Sequence, residues 1–157
     1  MLFRSTLFTL GLPGSMYLYQ GEELGLPEHT TLAPEFRQDP TFARTKGARV
    51  GRDGCRVTLP WESGVRAANG FNTTGKSWLP QPEIYAKYAR DLQEGVPGST
   101  LETYKEALRT RKELGLGHGT FEWAAELCSE NVLAYRNGSL LVTHNFDTNE
   151  TTWTFSS

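Results

Sequence analysis

The chain has 157 residues, 38% hydrophobic and 11% aromatic, enough for one ordinary domain or for pieces of two. Its formal net charge of −2 and pI near 5.9 come from interspersed charges of both signs, which gives no electrostatic case for nucleic acid or an anionic membrane. No apolar run approaches the length of a bilayer span.

Leu2, Phe3, Leu7, Phe8 and Leu10 recur at roughly helical spacing, and Gly11 with Pro13-Gly14 stops them. The same stretch superficially resembles a signal peptide. However, Arg4 sits inside the short apolar run and no small-residue cleavage site follows. A buried helix is the better reading, and its uncapped start points to a truncated element. Met16 to Gln20 then reads as a short buried strand, apolar and bounded by glycines. Helix, turn and apolar strand are the rhythm of a parallel sheet. Only one such unit is present, and the strand needs partners that this sequence lacks.

Glu22 and Glu23 close that segment. Consecutive strand residues point to opposite faces, so the two acids cannot serve one substrate unless the chain turns between them. A solvated or locally paired role is the stronger reading, although ligands of parallel α/β folds do sit beyond the carboxyl ends of the strands. Residues 24–80 carry five prolines and no sustained period, which reads as a long ordered loop region. Phe36, Trp61, Phe71 and Trp78 argue against disorder there. Within it, Gly51-Arg-Asp-Gly-Cys-Arg56 offers two planar donor forks, Arg52 and Arg56, suited to carboxylates or vicinal sugar hydroxyls. Trp61, Phe71 and Trp78 offer flat faces on which a sugar ring can pack. Physics weighs this equally against a salt-bridged loop in which Arg52 or Arg56 pairs with Asp53 or Glu22. His29, His118 and His144 sit alone and read as structural. Cys55 and Cys128 read as reduced thiols with no metal-type spacing. Three glycosylation acceptor tripeptides, at Asn72, Asn137 and Asn149, are common by chance in polar loops. There is no phosphate-cradling loop and no metal-ligand cluster.

From Ser99 the pattern sharpens. Ser99-Thr-Leu-Glu102 has the form of a capping box, and Leu101, Tyr104, Ala107, Leu108 and Leu114 place an apolar stripe on a helix that Gly115 ends. Strands are expected over Thr120–Leu127, Val132–Arg136, Ser139–Phe146 and Thr151–Phe155. Asn137-Gly138 is the expected hairpin turn.

Taken in order, these segments resemble a known family. Pro13 to Gly25 resembles the last barrel-strand motif of the α-amylase superfamily of glycoside hydrolases, above all its α-glucosidase and oligo-1,6-glucosidase group. Gly51 to Arg56, Pro60-Trp61, Asn69-Gly-Phe71 and Trp78-Leu-Pro80 occur in the same order in that group. Thr100–Leu114, with Arg111-Lys112, resembles the final barrel helix, while Leu133–Arg136 and Val142–Phe146 resemble the first strands of the C-terminal β domain. The resemblance covers almost the whole chain. Arg56-Val-Thr-Leu-Pro-Trp61 departs from the group's common Arg-Thr-Pro-Met-Gln-Trp, which bears on loop conformation and linkage preference.

The resemblance implies an α/β fold: the C-terminal end of a (β/α)8 TIM barrel over residues 1–114, then part of an antiparallel β domain over 115–157. It implies a retaining α-glucosidase acting on maltose- or isomaltose-class oligosaccharides, without cofactor or metal, nucleic-acid partner or membrane, and in the cytoplasm. The alternatives are a trehalose synthase-like isomerase or transglycosylase, and a non-enzymatic relative of the transporter heavy-chain type. In the family, Glu22 and Glu23 shape the rim of the eighth strand. The three catalytic acids lie on earlier strands, so none is expected in this chain, which should be inactive alone. The substrate-binding role carries over to Arg52, which would hold the terminal glucose, with Arg56 lining the entrance.

Overall fold

The computed structural model describes residues 2–64 and 68–152, with side chains from residue 5 onward. The helices among them are α1 (Leu2–Leu10), α2 (Pro40–Arg44) and α3 (Thr100–Glu113), linked by short 3-10 turns. Strands β1 (Glu122–Trp123), β2 (Val132–Asn137) and β3 (Leu140–Asn145) form an antiparallel sheet in that order. The chain divides into two compact units, residues 1–18 with 104–157 and residues 19–103.

In the first unit, α1 forms where the 3.6-residue pattern predicts it, with Thr6 and Leu10 buried. Its C-terminal carbonyls need partners, and the Arg111 guanidinium supplies them, donating to the oxygens of Leu10 and Leu12 at 2.6 Å each and of Gly14 at 2.5 Å. Gly11 is needed because a Cβ there would lie 2.4 Å from the Tyr135 hydroxyl. That hydroxyl donates to Phe8 O, and the two rings meet edge to face at 4.9 Å. His144 is buried beside Phe8 and Phe146, in keeping with a structural histidine.

The strand expected over Met16–Gln20 does not form: these residues join no ladder, and Tyr17 is 90% exposed. A parallel strand takes its hydrogen bonds from neighbours, and the described residues provide none. The hairpin is present but shifted by one residue. Asn137 pairs with Leu140 inside the ladder, so the two-residue loop is Gly138-Ser139, with positive φ (58°) at Gly138 alone, the Gly-first pattern. Asn137 is drawn inward because its buried amide donates to Gly11 O at 2.8 Å and Leu116 O at 3.0 Å. Of Thr120–Leu127, only Glu122–Trp123 pairs as strand, and Ala125–Leu127 is a 3-10 turn. Thr151 and Thr152 belong to no strand, and Trp153–Phe155 lie outside the described residues.

The second unit is built mostly of loops around Leu32, Val57, Leu79 and Tyr85, with Leu26 packed against them. Loops bury backbone only where side chains satisfy it. Arg37 donates to the carbonyls of Thr30, Leu32 and Val50, each at 2.9 Å. The Tyr85 hydroxyl donates to Pro27 O at 2.9 Å, and burial pushes its pKa up to about 12. Gln93 donates to Leu24 O and Tyr88 O and accepts from Leu101 N–H.

Helix α3 starts and stops as expected, but its capping box is half made. Ser99 Oγ accepts from Glu102 N–H at 3.2 Å, whereas Glu102 Oε1 accepts from Gly95 N–H and Ser99 N–H donates to Val96 O. The apolar stripe is buried at Leu101 and Tyr104 and exposed at Leu108 and Leu114.

Candidate functional site: an arginine turn held by two buried carboxylates

Glu22 and Glu23 lie in a 3-10 turn between Gly21 and Gly25, both left-handed. Glu22 Oε1 accepts from Tyr19 N–H at 3.3 Å and Glu23 Oε2 from Gly21 N–H at 2.8 Å. Each acid thus satisfies a nearby backbone amide.

The segment Gly51–Arg56 is organised by carboxylates. Asp53 is fully buried, and its Oδ2 accepts from Gln38 N–H at 2.9 Å and Asp39 N–H at 2.8 Å. Its Oδ1 takes the Arg56 guanidinium at 3.4 Å. Asp39 caps α2 through Oδ1, which accepts from Thr41 N–H at 2.9 Å, ahead of Pro40 at the first helical position. Its Oδ2 accepts from Arg52 N–H at 3.0 Å and faces the Arg56 guanidinium at 3.6 Å. Hydrogen bonds from the Thr41 and Arg52 amides, then from the Thr41 hydroxyl, lower the Asp39 pKa to about 2, with the Arg56 charge adding to them.

Close approach completes the turn. Gly51 has φ +70°, and a Cβ on it would lie 2.6 Å from Asp39 Cβ. Gly54 is equally tight, since a Cβ there would lie 2.6 Å from His29 O, while His29 N–H donates to Gly54 O. Burial, then the Arg37 charge, hold the His29 imidazole below its ordinary range.

Sequence left open whether Arg52 or Arg56 is the salt-bridged one. The structure separates them. Arg56 is the arginine held by carboxylates, Asp53 and Asp39, and it stays about one-third exposed. Arg52 is exposed, and its guanidinium has no hydrogen-bond or ion-pair partner among the described residues. Next to them, Cys55 Sγ donates to Arg52 O at 3.0 Å. Burial, then Cys55, raise the Tyr19 hydroxyl above its ordinary pKa, while Arg56 and Arg52 act in the opposite sense. The turn therefore presents one free donor fork and one restrained one beside a phenol and a thiol, a surface rich in donors for hydroxyl or carboxylate ligands.

Trp61, Phe71 and Trp78 are all exposed, and no ring contact among the described residues joins them. Arg90 lies over the Trp61 ring at 5.8 Å. Asn69 anchors this part of the loop: its carbonyl accepts from Trp61 and Glu62 N–H, and its amide donates to Gln81 Oε1 at 2.9 Å. Pro60, the displaced proline of the divergent loop, is buried and its carbonyl accepts from Arg90 N–H. Sequence reasoning missed Asp39 and Arg37. Asp39-Pro40 is a legible helix-start pair, but nothing local ties it to Arg52, and Arg37 carries no motif at all. No helix of the described residues is long and apolar enough to cross a membrane.

Comparison with known proteins bears on this arrangement. Residues 4–118 match the alpha amylase catalytic domain. The chain is 38% identical over 103 residues to a probable alpha-glucosidase of Rhizobium meliloti, covering 66% of this chain and 18% of that protein. It is 26% identical to the oligo-1,6-glucosidase of Parageobacillus thermoglucosidasius, covering 86% of this chain and 27% of that one. The chain thus spans about a fifth to a quarter of the length of these relatives. Among solved structures, the alpha-glucosyl transfer enzyme XgtA superposes with a TM-score of 0.79 at 33% identity, covering 92% of this chain and 27% of that one. The trehalulose synthase MutB shares the fold at 23% identity with a TM-score of 0.74, covering 92% of this chain and 30% of that one. With a family match over most of its length, the chain belongs to the α-amylase superfamily of glycoside hydrolases.

Proposed function

We propose that residues 1–114 are the C-terminal end of the (β/α)8 catalytic barrel, and residues 115–157 the start of the following β domain, of a retaining α-glucosidase. Its substrates are short oligosaccharides with terminal α-linked glucose, of the maltose or isomaltose class. The observation that carries this reading is Arg52: an exposed guanidinium, unpaired among the described residues, on a turn anchored at the Arg52 N–H by Asp39 and at Asp53 by two backbone amides. A planar donor fork of this kind suits the vicinal hydroxyls of a terminal sugar, and Arg56 lines the entrance. The relatives named alpha-glucosidase and oligo-1,6-glucosidase support the assignment.

Retention needs a nucleophile and an acid/base with carboxyl groups about 5–5.5 Å apart. Here Glu22, Glu23, Asp39 and Asp53 are committed to backbone amides or to Arg56. The role of this stretch is therefore to hold the sugar, and it is expected to be inactive when expressed alone. A second reading, an isomerase or transglycosylase, draws support from XgtA, a glucosyl-transfer enzyme at 33% identity. Incubating the intact protein with maltose and with isomaltose, and following products by proton NMR, separates the two. Early release of α-glucose supports a retaining hydrolase. Initial β-glucose overturns retention, and linkage-isomerised or longer products favour the second reading.

A further inference from the structure

We propose that Asp39 is a positioning residue for substrate binding, acting through Arg52; this rests on the α-glucosidase reading above. Each carboxylate oxygen of Asp39 and its Cβ–Cγ stem makes its own contribution. Oδ1 closes the first turn of α2 through Thr41 N–H. Oδ2 takes the backbone N–H of Arg52 at 3.0 Å and lies 3.6 Å from the Arg56 guanidinium. The third is steric: Asp39 Cβ and Cγ fill the space a side chain at Gly51 would need, at 2.6 and 2.7 Å.

Asp39 is itself fixed from behind, because its own N–H donates to buried Asp53. The chain therefore leaves Gly51 in a left-handed conformation and meets an acceptor at the next amide, which sets the direction in which the Arg52 side chain departs. Arg56 faces both acids, 3.6 Å from Asp39 Oδ2 and 3.4 Å from Asp53 Oδ1, and its positive charge offsets theirs. Arg52 keeps its own guanidinium unpaired among the described residues. Asp39 thus holds Arg52 by its backbone N–H and leaves the fork free for the ligand.

Asp39→Asn tests this in the intact protein. Asparagine is as good a helix cap as aspartate, so α2 is retained. Once its single oxygen caps Thr41, however, its amide points a donor at Arg52 N–H. Loss of the clamp is expected to lower kcat/KM on maltose by about 10- to 100-fold, the scale of an ångström-sized misplacement, mostly through KM. In an Arg52→Ala background the same change should cost less than about twofold, because the group being positioned is gone. Asp39→Ser, which also caps, should reproduce both results. A single-mutant effect below twofold, or an equal loss with and without Arg52, overturns the inference. A wild-type protein without activity on any α-glucoside instead overturns the function on which it rests.

Discussion

At the scale of single residues, the structure makes Arg52 and Arg56 unequal. Both carry the same fork, but the Arg56 guanidinium is held by Asp39 and Asp53, whereas that of Arg52 has no partner among the described residues. A charged donor to a sugar hydroxyl is worth more than a neutral one, and its loss leaves that hydroxyl unpaired. Arg52→Ala should therefore cost on the order of 1.5–3 kcal/mol in transition-state binding, read as kcat/KM on maltose. Arg52→Lys should recover little, since one ammonium cannot reproduce the fork. Arg56→Ala should cost less and act mainly on maltotriose. Kinetics that leave Arg52→Ala within twofold of wild type, with Arg56→Ala inactive, would exchange the two roles. The Arg-Asp pair was legible in the sequence as donor chemistry. Which arginine is bound was not, because Asp39, which holds the Arg56 guanidinium together with Asp53, is distant from Arg56 in sequence and only the folded loop brings them together.

At the scale of elements, the legible parts are those whose hydrogen bonds are local. Helices α1 and α3 satisfy themselves along the chain, and the β2–β3 hairpin closes on its own turn, so periodicity and turn residues sufficed to find them. Met16–Gln20 has strand-like composition, but a strand's bonds are made elsewhere, and composition cannot report whether they exist. The hairpin moved by one residue for a related reason: interior demand for the Asn137 amide outweighs its preference for a turn. The end of α1 offers a direct test of such long-range capping. Arg111 serves three carbonyls about a hundred residues away in sequence. Arg111→Ala should destabilise the protein by about 2–3 kcal/mol, seen as a lower urea midpoint at unchanged slope. Arg111→Lys should restore less than half, because a single nitrogen cannot span the three oxygens. A midpoint unchanged by Arg111→Ala would mean that water replaces the guanidinium at no cost.

For the molecule as a whole, each unit buries a small core and leaves large apolar groups in solvent. Tyr17, Trp123 and Phe146 are exposed in the unit of residues 1–18 and 104–157; Trp78, Phe71 and Tyr19 are exposed in the unit of residues 19–103. Isolated apolar side chains at a surface are ordinary. Exposed aromatics in such numbers on a chain of this size favour association. Loops also carry much of the second unit, and their order depends on single anchors such as Arg37 and Gln93, not on a deep core. The 157-residue chain, purified alone, should therefore form oligomers at micromolar concentration, bind a hydrophobic dye and melt broadly. Light scattering coupled to size exclusion, together with calorimetry, measures all three consequences of the exposed surface. A monomer that excludes the dye and unfolds in one sharp transition would show that the two small cores suffice and that the exposed aromatics do not drive association.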